Sequence, residues 1–494
     1  MSFRYCRAAA AIYFALVSIV GLLPLPASAG VPPGLVRPPY LQIGTPTSMV
    51  VRWRTDVTSD TRLSYGPAPD DLSTTLSDPA LVTEHEVAIP SLEPGTRYYY
   101  GVGTDVEIIA GGDADHYFET SPAAGSRQPV RIWVIGDSGE CSFSAQGCID
   151  AGAVRDEYLA HAQETGGIAN AWLMLGDNAY TEGTDTEHTV GVFEVYPEIM
   201  RNTPLWPVPG NHEYKTDGAV PYYEAFSLPT EGQAGGEASG SESYYSFDFG
   251  NVHFVALDSH GTDRSTTGAM YQWLEADLEA TSAEWLIAFW HHPPYTNGSH
   301  DSDNEYDSGG RLWDMRMIFL PLLESHGVDL QLTGHSHSYE RSLLLDGHYG
   351  TSDTFDPAEH AFDTGDGDPA GDGAYAKDAM GLEPNMGAVY SVVGSSSKNS
   401  GVDSHPVMKR SISYEGSMLV DIDGAALEAV FINKDGDTRD RFRIEKVPEP
   451  AVATMQLVAL ALLALMRLRR ARGGREAVAI HLALFLGAGL LLPS

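Results

Sequence analysis

Five times along this chain an apolar run stops short and hands over to side chains that can bind a cation. Ile132–Ile135 leads into Gly136-Asp137-Ser138-Gly139, and Ala171–Leu175 into Gly176-Asp177-Asn178-Ala179-Tyr180. The approach to Pro209 leads into Gly210-Asn211-His212-Glu213. Glu284–Phe289 precedes His291-His292-Pro293-Pro294-Tyr295, and Val328–Leu332 precedes Gly334-His335-Ser336-His337. Continuous apolar runs suit strands covered on both faces, and helix-like patterns lie between them, near residues 150–163 and 311–325. That alternation predicts α/β layers, with chemistry where loops leave the carboxyl ends of strands. A lone Gly-Asp says little, because Gly365-Asp366, Gly367-Asp368 and Gly371-Asp372 recur in a polar stretch. The set carries the weight: carboxylate, carboxylate, amide, imidazole and paired imidazole, each on a short side chain at a rigid strand end, as a metal site requires. A glycine ahead of most of these residues lets the backbone turn sharply and crowd an ion.

The preceding region has a different texture. Residues 48–54, 61–66, 85–89 and 96–102 alternate or are aromatic-rich and are separated by Pro, Gly and Asp turns, which reads as an all-β sandwich. Leu92-Glu93-Pro94-Gly95-Thr96-Arg97-Tyr98-Tyr99-Tyr100 resembles the late strand of a fibronectin type III module. Thr120 to Pro129 is a polar linker. The boundaries expected are a leader at 1–29, the β module at 30–122, a catalytic domain at 128–445, a sorting or anchor segment at 446–475 and an apolar tail at 476–494.

In order and composition the five motifs, the β module before them and Ser243-Tyr244-Tyr245-Ser246-Phe247-Asp248-Phe249-Gly250-Asn251-Val252-His253-Phe254 resemble the purple acid phosphatases of the metallophosphoesterase superfamily. The resemblance spans roughly residues 36–445. It implies an α/β (α+β layered) sandwich of two mixed sheets flanked by helices, behind the fibronectin-like sandwich. It further implies a two-metal centre: Asp137, Asp177, Tyr180 and His337 on the first ion, with Asp177 bridging to a second held also by Asn211, His291 and His335. Gly139 stands where many metallophosphoesterases place a ligand histidine, and Tyr180 supplies the missing donor. A phenolate with carboxylates suits Fe(III) at the first site, with divalent Fe, Zn or Mn at the second. By the same resemblance His212 contacts the phosphate and protonates the leaving group, His300 assists from the substrate side, and His292 lies outside the ligand set. The reaction implied is attack of a metal-activated hydroxide on a small phosphate monoester. A phosphodiesterase or nucleotidase using the same centre, or a surface-binding protein, are the competing readings. His253, inside an apolar strand, reads as a packed or capped histidine.

Charge narrows the partners. The chain carries a formal charge of −37, and seven of its 30 Lys and Arg, but only one of its 67 Asp and Glu, fall in the apolar ends. So acidic a body repels phosphate backbones and anionic lipid, which argues against nucleic-acid binding, and it admits a phosphate substrate only where metal ions reverse the local field. Arg4 and Arg7, the apolar run Ala8–Leu23 and Ala27-Ser28-Ala29 read as a secretory signal. Once it is removed, Cys141 and Cys148 remain, an even pair in a compartment that permits a disulfide, read as a staple within one loop. Pro448-Glu449-Pro450, the apolar run Ala451–Met466 and the arginines from Arg467 to Arg475 resemble the PEP-CTERM sorting signal of bacterial exported proteins. That resemblance implies membrane retention followed by processing by an exosortase-like transpeptidase. A second apolar run, Ala477–Leu492, departs from the pattern. Residues 228–243 and 351–378 read as loops, the latter, with Asp363, Asp366, Asp368 and Asp372, as a solvated loop and not a calcium site.

Overall fold

The computed structural model describes residues 33–447. The leader at 1–29 and the Pro-Glu-Pro segment with all that follows it lie outside the described residues. Among those described, no helix is long and apolar enough to cross a membrane.

Six strands build the N-terminal unit: β1 (Leu35–Gln42), β2 (Met49–Gly66), β3 (Thr74–Ile89), β4 (Arg97–Gly103), β5 (Ile108–Gly111) and β6 (Tyr117–Glu119). The sequence suggests two separate strands at 48–54 and 61–66. The structure merges them into β2, whose register against β3 shifts between Arg54, Ser59 and Thr61. Asp56, which looks like a turn residue, instead accepts the Gly34 N–H at 2.8 Å. These irregularities let one strand serve both layers of the sandwich: its first half pairs with β1 and its second with β4. Trp53, Leu63, Tyr100 and Phe118 fill the space between them, all fully buried.

Two seven-stranded sheets form the body that follows. One holds β7 (Val130–Ile135), β8 (Ala171–Met174) and β9 (Leu205–Pro207) in parallel. It continues antiparallel through β20 (Gly416–Asp423), β21 (Ala426–Asn433) and β22 (Thr438–Lys446), with β17 (Tyr375–Lys377) at its far edge. The other holds β11 (Val252–Ala256), β12 (Trp285–Phe289), β13 (Leu330–Thr333) and β18 (Val389–Val393) in parallel. Antiparallel strands β10 (Tyr245–Phe249), β14 (Tyr339–Ser342) and β19 (Met408–Ile412) complete it. Both sheets are mixed, as expected. Every residue of β8, β11, β12 and β13 is buried, the mark of strands covered on both faces.

Aromatic rings lock the sheets together: Trp206 stacks on Phe247 at 3.8 Å, and Tyr339 on Phe431 at 4.1 Å. The helix Ala145–Thr165, capped by the Ser144 side chain on Gly147 N–H, covers one sheet, where Tyr158 stacks on Trp133 at 4.3 Å. The helix Ala269–Ala280 and the helical run ending in Leu320–Ser325 cover the other.

Two local expectations change. Cys141 and Cys148 are bridged, but Cys148 sits in the first turns of Ala145–Thr165, so the bridge ties a helix to the segment before it. The stretch 351–378 is not loop throughout. There β16 (Ala361–Asp363) pairs with β15 (Leu344–Leu345), and β17 pairs with β22, with the Lys377 ammonium buried against Asp329 at 2.6 Å.

Candidate metal centre

The five motifs leave the carboxyl ends of β7, β8, β9, β12 and β13, so the parallel halves of both sheets open onto one place. One sheet brings Asp137, Asp177, Tyr180, Asn211 and His212; the other brings His291, His335 and His337. Three of these residues bend the chain themselves: Asp137, Asp177 and His335 have φ of 54°, 52° and 67°. Left-handed backbone at side chains other than glycine is costly, about 1–3 kcal/mol each, and collects where function holds it. The preceding glycines serve chiefly another purpose. Of Gly136, Gly176, Gly210 and Gly334 only Gly176 has positive φ, at 88°. What the others provide is room across motifs: a Cβ on Gly210 would land on the Asp177 carboxylate, and one on Gly334 on that of Asp137.

Two groups of donors result. The Tyr180 hydroxyl lies 3.0 Å from Asp137 Oδ1, 3.1 Å from Asp177 Oδ2 and 3.4 Å from His337 Nε2, and His337 Nε2 is 3.4 Å from Asp137 Oδ1. His291 Nε2 lies 3.3 Å from Asp177 Oδ2, 3.1 Å from Asn211 Oδ1 and 3.1 Å from His335 Nδ1. Asp177 Oδ2 belongs to both. Donors about 2.1 Å from a common centre and at right angles to one another stand about 3.0 Å apart, so both groups have the spacing of a coordination shell. Each imidazole has its other nitrogen engaged: His291 Nδ1 with Leu175 O at 2.8 Å, His335 Nε2 with Ser308 Oγ at 2.7 Å, and His337 Nδ1 with Ser400 Oγ at 3.2 Å. Such outer bonds fix ring orientation and tautomer.

The electrostatics show how strongly these crowded groups act on one another. Burial, then the Asp137 and Asp177 charges, hold the Tyr180 phenol well above its ordinary pKa. Burial and the neighbouring imidazoles push His335 well below its own, keeping it neutral as a ligand must be. For His291 burial opposes the charged ring, but Asp177 outweighs it and lifts the pKa to about 9. Buried carboxylates, a phenol and imidazoles this crowded fit the two-cation set the sequence suggests.

His212 and His300 stand on the open side. The His212 side chain is 19% exposed; its ring centroid is 4.2 Å from that of Tyr180, and its Nε2 is 3.8 Å from Asp177 Oδ2. His300, 30% exposed, stacks on His335 at 3.9 Å and is held through Nδ1 by Asp307 at 2.9 Å. His292 is buried behind His335 and bonded to Ser259 Oγ at 2.8 Å. His253 lies elsewhere, on β11, between Asp248 at 2.7 Å and Asp277 at 2.9 Å.

Two residues escaped the sequence reading. Glu213, fully buried, accepts N–H bonds from Asp177, Asn178, Ala179 and Gly210 at 2.7–3.2 Å and so clamps two motif loops. Its signal was an acidic residue directly after the third motif's histidine. Asp307, which orients His300, has no such signal.

Residues 130–339 match the calcineurin-like phosphoesterase family, and residues 37–120 match the purple acid phosphatase N-terminal domain. Purple acid phosphatase 15 of Arabidopsis thaliana is 30% identical over 52% of this chain and 49% of its own length. Human acid phosphatase type 7 is 25% identical over 60% of this chain and 68% of its own. The chain spans about half the length of the first of these relatives. Among solved structures, the yellow lupin (Lupinus luteus) purple acid phosphatase PPD1 superposes with a TM-score of 0.62 at 17% identity, over 83% of this chain and 74% of the other. PhoD superposes with a TM-score of 0.56 at 13% identity, over 91% of this chain and all of the other.

Proposed function

From the union of a purple acid phosphatase N-terminal domain with a calcineurin-like phosphoesterase domain, we propose that this chain is an exported acid phosphatase hydrolysing phosphate monoesters at a two-cation centre. The observation that carries the reading is the pair of donor groups sharing Asp177, with His212 on their open side. Asp137, Asp177, Tyr180 and His337 would hold one cation, and Asp177, Asn211, His291 and His335 the other. The phenolate-bearing group suits Fe(III), and the imidazole and amide group suits divalent Fe, Zn or Mn. When bound, two such ions neutralise a phosphate and lower the pKa of water to the range where it is a nucleophile at neutral pH.

The rest falls to the protein. As the imidazolium, His212 donates Nδ1–H to the Thr181 carbonyl at 2.7 Å, which leaves its Nε2–H to hand a proton to the departing alkoxide. Tyr180 packs against that ring and limits its rotation. His300, oriented by Asp307, offers a second donor beside His335. Glu213 holds the Asp177 and Gly210 loops in register. The basic, apolar and small-residue stretch at 1–29 supports export, and Pro448-Glu449-Pro450 with the following apolar run and arginines supports transient membrane retention ended by an exosortase-like enzyme.

The deciding experiment is metal analysis of the purified protein together with a hydrolysis panel of alkyl and aryl monoesters, diesters and nucleotides. Two metal ions per chain, a visible tyrosinate–iron band and a preference for monoesters are expected. A preference for diesters, or a metal-free active protein, overturns the reading.

A further inference from the structure

Resting on the phosphatase reading, we propose that the N-terminal sandwich helps to aim the leaving-group histidine: Arg37 and Arg54 act through Asp185 as positioning residues for the Thr181–Glu182 segment and for the ring of His212. Arg37, on β1, is fully buried; its Nη2 bonds Asp185 Oδ1 at 2.6 Å, its Nε bonds Thr189 Oγ1 at 3.2 Å, and its guanidinium lies 4.5 Å from the Phe193 ring. Arg54, on β2, grips the same carboxylate with both arms, at 2.6 and 2.8 Å. A two-pronged arginine contact fixes direction as well as distance.

From Asp185 the contacts run directly to the site. Asp185 opens the short helix Asp185–His188, closed at its start by a capping box between Thr184 and Glu187. The Glu187 carboxylate accepts the N–H groups of Thr181 at 2.6 Å, Glu182 at 3.1 Å and Thr184 at 2.9 Å. That holds the loop leaving Tyr180, whose Thr181 carbonyl receives His212 Nδ1 at 2.7 Å and Lys215 Nζ at 2.9 Å. The next helical turn, Thr189–Phe193, packs its Gly191 against the carbonyls of Asn178 and Gly139, inside the first two motifs. The orientation of the His212 ring thus rests on a carbonyl whose place depends on an ion pair with the other domain, with Lys215 Nζ also 3.0 Å from His212 Nδ1. Displacements of about 1 Å at a reacting group can cost 100-fold in rate.

The test uses the full-length, metal-loaded protein with Asp185→Asn and Arg54→Ala, and Arg54→Lys as the conservative rescue. Hydrogen exchange is read at the Thr181, Glu182 and Thr184 amides, histidine-selective ¹⁵N NMR at His212, and kcat on an alkyl phosphate against 4-nitrophenyl phosphate. Expected are faster exchange at the three amides, a changed ¹⁵N tautomer signature at His212, and a fall of about 10- to 100-fold in alkyl phosphate turnover. Nitrophenyl phosphate turnover, its KM and metal content should hold, and Arg54→Lys should recover part of the loss. Unchanged exchange, tautomer and turnover ratio, with only a lower Tm, would reduce the contact to an ordinary domain interface and overturn the proposal. Should the wild type hydrolyse neither ester, the phosphatase reading fails, while exchange and tautomer still decide whether Asp185 positions His212.

Discussion

Gly-Asp occurs in two parts of this molecule with opposite results. At Gly136-Asp137 and Gly176-Asp177 it follows a buried parallel strand, the aspartates are at most 1% exposed, and their oxygens face a phenol, imidazoles and the backbone of another motif. In the 365–372 stretch the aspartates are exposed or partly exposed and turn back on their own chain: Asp366 onto Asp368 N–H, Asp368 onto Ala370 N–H, and Asp372 onto Asp366 N–H. The dipeptide is the same. The difference is a rigid strand that denies the carboxylate its local partners and delivers it into a place it shares with donors from the other sheet.

The sharpest break of that comparison is Asp177→Ala. Asp177 Oδ2 stands in both donor groups, so its loss should remove both metal ions and abolish activity, as read by metal content and turnover. Retention of one ion at full occupancy would show that the groups do not depend on a common carboxylate.

Next in size is His212→Ala. With the metal ligands intact, metal content should hold while kcat on alkyl phosphates falls about 10²- to 10⁴-fold, the usual worth of a general acid. The loss should shrink for nitrophenyl phosphate, which leaves without a proton. Loss of a metal ion instead would make His212 a ligand.

Glu213→Gln follows. Four backbone N–H groups converge on this carboxylate, and an amide can offer only its oxygen to them while turning its NH₂ against the rest. Outer partners of metal loops are worth about 10–100-fold in affinity or activity, and a loss of that size is expected in both metals together.

Why these residues were legible to different degrees follows from where their partners lie. The ligand candidates announce themselves because each ends an apolar run, a local signal. The work of Glu213, the grip of Asp307 on His300 and the need for glycine at 210 and 334 arise between motifs, where no local pattern records them. The same limit applies to the fold. Strands β7, β8, β12 and β13 read correctly because burial on both faces writes a continuous apolar run. The break inside β2 read as a turn because a bulge and a turn use the same residues, and only the long-range pairing with β3 tells them apart.

His253 sharpens the comparison from within the buried layer. Like His291 it sits among carboxylates, and although burial opposes the charge, Asp248 and Asp277 raise its pKa to about 9. Both its nitrogens are used by those carboxylates, so it stabilises as a cation and binds nothing else. A folded pKa above the unfolded 6.5 gives stability that is complete below pH 6.5 and is lost as pH rises through 9. The stability gap between wild type and His253→Asn should therefore shrink by about 3 kcal/mol between pH 6 and 10, measured by denaturant unfolding. A gap independent of pH would mean that the ring is neutral.

The smallest effect belongs to the exposed stretch itself. In Asp366→Asn the retained oxygen can still accept the Asp368 N–H. The contact that weakens is the 3.4 Å pairing with Arg410, a partly exposed ion pair worth about 0–1 kcal/mol. Activity and metal content should stay at wild-type values, and millimolar calcium should leave the Tm of both proteins where it was, since a ligand bound only by the folded state would raise it. A calcium-dependent rise in wild type that vanishes in Asp366→Asn would show that these carboxylates do converge on an ion. The comparison would then rest on which cation each Gly-Asp set takes, and not on whether a strand delivers it.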